Sequence, residues 1–102
     1  MARNARVSCP LDAWTKLTNG LVSTNLSVML ANDVAVSLQA TSGTTAPTDD
    51  VGPLELMARG NGWSEATILE KFPGVATADT LWAKPRTKDD FRGPAIVSIS
   101  HA

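Results

Sequence analysis

Between Val22 and Thr41 the apolar residues fall on alternate positions. Val22, Leu26, Val28 and Leu30 are even, and after Asn32-Asp33 the series resumes with Val34, Val36, Leu38 and Ala40. A period of two is what a β-strand with one buried face produces. Turn signals cut this pattern into strands. Asn19-Gly20 predicts a two-residue hairpin, since a type I′ turn needs two positive φ angles. Joining residues 13–18 to 21–30, it sets Leu17 opposite Val22 and puts Trp14 on the outer face. Parity then selects a three-residue loop at 31–33, which pairs Leu30 with Val34, Val28 with Val36 and Leu26 with Leu38. A slip of one residue would turn polar side chains inward. A crossover to a second sheet is the alternative.

Further along, residues 41–53 are small and polar with Pro47 and Pro53, a loop of about thirteen residues that exceeds the usual connection. Residues 54–59 and 63–69 flank Gly60-Asn61-Gly62. A three-residue loop there pairs Leu56 with Ala66 and Leu54 with Ile68. It also sets Arg59 opposite Trp63 on the other face, a cation–π contact worth ~0.5–1 kcal/mol. A helix beginning at Ser64 competes; the favoured reading is a strand followed by one helical turn from Leu69 to Phe72, stopped by Pro73-Gly74. Residues 80–84 form a strand and 85–93 a charged loop. Residues 95–101 alternate, with Ala95, Val97 and Ile99 on one face and Ile96, Ser98 and Ser100 on the other. Residues 1–12 read as an extended N-terminal arm, docked on its own domain or on a neighbour. The expected fold is all-β: residues 13–102 as a single small β-sandwich of about seven short, mostly antiparallel strands.

With 102 residues the chain supports one domain and one core. Its formal net charge of -1 gives no general attraction to nucleic acid or to an anionic membrane. Cys9 is the single cysteine, so no intramolecular disulfide is expected. No apolar run approaches the ~20 residues that span a bilayer. The basic start lacks the apolar stretch of a secretory signal, so synthesis in a cytoplasm is expected.

Candidate chemistry is sparse. Cys9 and His101 are too few for a zinc site. Asp49-Asp50 and Asp89-Asp90 lack the spacing of a calcium loop. No nucleophile elbow or phosphate-binding loop occurs. A thiol–imidazole pair of Cys9 and His101 would lack a third, orienting group, and a structural cysteine is the stronger reading. The expectation is a non-enzymatic protein without cofactor or metal. Lys84, Arg86, Lys88 and Arg92 are interleaved with Asp89 and Asp90, which suits a mixed-charge loop facing solvent or a protein neighbour better than a nucleic-acid contact. Trp82, beside Leu81, reads as core. Trp14, Arg59, Trp63, Arg86, Phe91 and Arg92 are the candidate interface anchors, because aromatic and arginine side chains dominate protein contacts.

The stretches Phe72-Pro73-Gly74-Val75, Ala78-Asp79-Thr80-Leu81-Trp82-Ala83 and Val97-Ser98-Ile99-Ser100-His101-Ala102 resemble small β-rich virion structural proteins of tailed bacteriophages. Leu38-Gln39-Ala40-Thr41 and the Thr/Pro-rich loop are similar in character, so the resemblance runs roughly from Leu26 to Ala102. It carries no catalytic motif. It implies a head decoration, collar or tail-associated subunit, present in multiple copies in the virion after synthesis in the host cytoplasm. Its partners would be copies of itself and other capsid or tail proteins, with a host-surface glycan as a further one. In that setting the arm serves assembly, and deleting residues 1–12 is expected to leave the domain folded. The alternative is a free carbohydrate- or peptide-binding β-sandwich module with Trp14 or Trp63 at its site.

Overall fold

The computed structural model describes residues 2–11, 13–48, 52–75, 77–86 and 94–102. Eight strands and one helical turn succeed one another: β1 (Arg3–Cys9), β2 (Thr15–Lys16), β3 (Leu26–Leu30), β4 (Val36–Thr41), β5 (Leu54–Leu56), β6 (Gly62–Ala66), α1 (Ile68–Lys71), β7 (Thr80–Pro85) and β8 (Ala95–His101). The strands build two four-stranded sheets, sheet A in the order β1-β8-β3-β6 and sheet B in the order β2-β7-β4-β5. Every neighbouring pair is antiparallel. The protein is a small β-sandwich, as the period-two pattern predicts.

Both sheets turn their alternate apolar residues to a shared core. Val7, Cys9, Leu26, Val28, Leu30, Ala95, Val97 and Ile99 come from sheet A; Val36, Leu38, Ala40, Leu56, Leu81 and Ala83 come from sheet B. Leu17, Val22 and Val34 join them from the connections. Each fully buried Leu, Ile or Val contributes roughly 1.5–3 kcal/mol of transfer free energy.

The strand partners differ from those the turns predict. The chain changes sheet at nearly every connection, and β4 and β5 are the consecutive strands that share a sheet as neighbours. The Asn19-Gly20 hairpin does not form. Thr15 and Lys16 pair with Ala83 and Trp82 of β7, while Leu26–Leu30 lies in the other sheet. Gly20 does take φ +77, so the dipeptide turns the chain, but into a crossover. The loop at 31–33 is likewise the crossover that was the alternative. Asn32 fixes it: its Oδ1 accepts from the Val34 and Ile96 N–H groups at 3.2 Å, and its Nδ2 donates to the Pro94 carbonyl at 3.1 Å. The Gly60-Asn61-Gly62 hairpin is also absent, because β5 pairs with β4 and β6 pairs with β3. There Asn61 Oδ1 accepts from the Met57 and Ala58 N–H groups, and Gly60 and Leu30 bond across the bend.

Residues read as an arm form β1, which pairs with β8 at every position from Arg3 to Cys9. The helical turn starts one residue before the predicted Leu69. Thr67 Oγ1 accepts from the Glu70 N–H, and Glu70 Oε1 accepts from the Thr67 N–H, a reciprocal cap at the helix start. Ile68 and Phe72 then close the core beside β6.

Candidate interaction surface

The single thiol and the single imidazole of the chain are both spent on the fold. Cys9 is fully buried and its thiol donates to the Val7 carbonyl at 3.8 Å. Burial pushes the thiol up to about 11, further than the Thr15 hydroxyl and the Arg3 charge pull it down. His101 is buried as well, with Nε2 accepting from the Asn19 N–H at 3.1 Å and Nδ1 2.9 Å from the Ala102 carbonyl. Both bonds are satisfied by the tautomer that carries its proton on Nδ1. Cys9 pairs with Ala95 at one end of β8 and His101 stands at the other. Six residues of extended chain put them about 20 Å apart. A thiol–imidazole dyad therefore does not assemble. No cluster of three or more His, Cys, Asp or Glu that could hold a metal occurs among the described residues.

Of the predicted anchors, Trp63 turns the other way. It pairs with Val28, shares that residue's inward face and packs against the core. The cation above its ring is Lys71, 5.5 Å from the centroid, and not Arg59. Arg59 is exposed in the bend before β6. Arg86 forms an ion pair with Glu55 across the end of sheet B, so it ties β7 to β5. Both side chains are about one-third exposed, 37% and 36%, and such pairs add at most ~1 kcal/mol. Trp14 is half-buried immediately before β2. Phe91 and Arg92 lie outside the described residues, as do Lys88 and both aspartate pairs. Trp82 is buried as expected, but on the outer face of sheet B, opposite Gln39 and Lys16, with its Nε1 donating to Thr41 Oγ1 at 2.8 Å.

The open surface is the outer face of sheet A. Antiparallel register sets its side chains in cross-strand rows. One row runs Asn4–Ser100–Ser27, and the next runs Arg6–Ser98–Met29–Gly62. Serines on the central strands β8 and β3 leave a floor lower than Asn4 and Arg6 on β1, and Met29 rises from β3 beside it. The result is an open groove of about 640 Å³. A smaller hollow of about 370 Å³ continues it past Ser27 and Ser100 to Glu65 and Asn25. The trough thus crosses all four strands, with a guanidinium at one end and a carboxylate at the other.

Two local features shape its far wall. Gly62 brings the backbone of β6 so close to β3 that a Cβ there would lie 1.9 Å from the Val28 carbonyl oxygen. Next, Leu26 pairs with Ala66 but Val28 pairs with Trp63, which leaves one extra residue on β6. Glu65 absorbs this bulge at φ 54, and its N–H donates to Ser27 Oγ at 3.3 Å. Sequence reasoning passed over Asn4, Ser27, Ser98 and Ser100, since serine and asparagine on three separated strands leave no spacing signal. Met29 is the clearest clue that was present: a large apolar residue on the polar parity of β3, here 44% exposed.

Comparison with family models, with curated proteins and with solved structures finds no match to this chain.

Proposed function

We propose that this protein is a non-enzymatic structural subunit that works by surface contact, present in many copies on a tailed-phage particle as a head decoration or a collar or tail-associated component. The observation that carries the contact role is the contrast between a spent interior and an open sheet face. Cys9 and His101 are consumed by packing and hydrogen bonding, whereas the side chains of Asn4, Arg6, Ser98, Ser100 and Met29 stand along a trough with no hydrogen bond or ion pair to other described residues. The phage setting comes from the resemblance of the Phe72–Ala83 and C-terminal stretches, and the fold suits it, since repeated weak contacts on a symmetric particle add through avidity. Sedimenting native source material and following this chain by mass spectrometry tests it. The chain is expected to travel with very large particles. Migration as a free small species would contradict the reading.

The groove itself favours one second reading, a free carbohydrate- or peptide-binding module. Hydroxyls, an amide and a guanidinium over a floor of about 640 Å³ suit a polar ligand. Trp63 lines this groove from the core side, so glycan titration is expected to change its fluorescence if that reading holds, and Ser98→Arg is expected to abolish the response.

A further inference from the structure

Two open sheets have four edges, and three of them here carry a feature that hinders strand addition. In sheet B, β2 is two residues long, and β5 is three residues long and follows Pro53 directly. In sheet A, β6 carries the bulge with Glu65 at φ 54. β1 is neither short nor bulged, and although Pro10 follows it directly, that proline lies beyond the Ala5–Cys9 ladder. It is seven residues long, holds an unbroken register with β8, and contains no proline. Among the described residues no backbone group outside β8 bonds to it. Ala5, Val7 and Cys9 carry the apolar inner face of sheet A out to this rim, and Arg3 and Arg6 are its only guard.

We propose that β1 pairs with β1 of a second copy, antiparallel about a two-fold axis at Val7, joining two A sheets into one eight-stranded sheet. The occupant follows from the edge comparison. Because the other edges are hindered, the strand a second copy has to offer is its own β1, so the contact is isologous and closes at two. The register follows from charge and polarity. Full overlap would centre the axis on Arg6 and oppose the two Arg6 side chains, and like charges directly opposite destabilise a pair. Centring on Ala5 would set Arg3 against Val7 on the inner face. Centring on Val7 sets Val7 against Val7 and Ala5 against Cys9 inside, and Arg6 against Ser8 outside. The two troughs, each walled by Asn4 and Arg6, then meet across the axis. This pairing deepens the assembly reading and depends on it only for its setting on a particle.

The two Arg6 side chains end up diagonal to one another, so screening favours the dimer and added salt tightens it. An acidic strand from another protein would show the opposite salt dependence. The test is sedimentation equilibrium of the full chain with Ser8→Glu and Ser8→Arg, each checked by thermal unfolding, since Ser8 is exposed and its replacement spares the core. Ser8→Glu places a carboxylate opposite Arg6 twice per dimer and is expected to tighten association about 2- to 30-fold. Ser8→Arg is expected to loosen it by a similar factor, and Arg6→Glu added to Ser8→Arg to restore it. Wild type and Ser8→Glu both remaining monomeric at the highest concentration overturns the proposal. So does a dimer that the two Ser8 variants shift in the same direction, or one that salt loosens. Co-sedimentation with particles is a separate readout, so either reading can fail without the other.

Discussion

On sheet B, Ser37, Thr80 and Trp82 point away from the core and are buried all the same, at 0%, 0% and 6% exposure. On sheet A, Asn4, Arg6, Ser8 and Ser100 also point away and are exposed. The difference lies in what is fastened above each sheet. Over sheet B, Trp82 is held by Thr41, the Gly43 N–H donates to Asp79 Oδ1 at 2.8 Å, and Thr77 donates to Ser42 at 2.8 Å. These bonds pin the start of the long loop to the entry of β7. Over sheet A nothing comparable is tied down among the described residues. Sheet B therefore buries both of its faces, while sheet A leaves one open.

The largest expected effect concerns β1. If sheet A is anchored as the register indicates, removing residues 1–9 strips β8 of a seven-residue ladder, deletes the buried Val7 and Cys9, and uncovers Ala95 and Val97 opposite them. The loss is several kcal/mol of a total that is about 5–15 for a domain of this kind. Circular dichroism melts are expected to show a lost or sharply lowered cooperative transition. This replaces the expectation that residues 1–12 are dispensable for folding.

Single substitutions on the two outer faces test the comparison itself. Trp82→Ala is expected to cost about 3–5 kcal/mol in urea unfolding. Met29→Ala, on the open face, is expected to stay within about 0.5 kcal/mol. Equal costs would mean that the outer faces do not differ.

Cys9 reports on the inner side of β1. Its thiol is raised from 9.0 to about 11, chiefly by burial. The folded chain thus keeps a proton that the unfolded chain releases first. The contribution is complete below about pH 9 and is lost as pH rises toward 11, on the order of 2–3 kcal/mol in all. The slope of unfolding free energy across that window is expected to be steeper in the wild type than in Cys9→Ala. The smallest effect is at α1, where Thr67→Ala removes the cap and is expected to cost about 1 kcal/mol.

Parity along residues 22–41 identified the inward residues Leu26, Val28, Leu30, Val34, Val36, Leu38 and Ala40, all of them buried. It assigned them the wrong partners, and the reason is physical. In a sandwich both sheets face one core, so a strand that crosses over keeps the same inward parity as one that folds back. Turn residues share this blindness: Gly20 reverses the chain wherever the next strand goes. Asn32 settles the crossover through bonds to Pro94 and Ile96, more than sixty residues away, which local pattern does not encode. The Thr67-x-x-Glu70 pair marks the helix start in the sequence, but the reading of the turn from Leu69 passed over it. The strand character of β1 was partly legible in Ala5, Val7 and Cys9, but Arg3 on the same parity obscures the alternation. The trough was not legible, because it is assembled by register across four strands.

The central claim, that sheet A carries the working face and sheet B does not, can be read from two methionines. Met29 lies in the trough at 44% exposure, and Met57 follows β5 of sheet B at 60%. Both are open to oxidation in the free protein. Mild peroxide treatment of free and particle-bound chains, with each methionine quantified by mass spectrometry, compares the two faces directly. Suppressed oxidation of Met29 with Met57 unchanged is the predicted result. Protection of Met57 with Met29 still oxidised would contradict it.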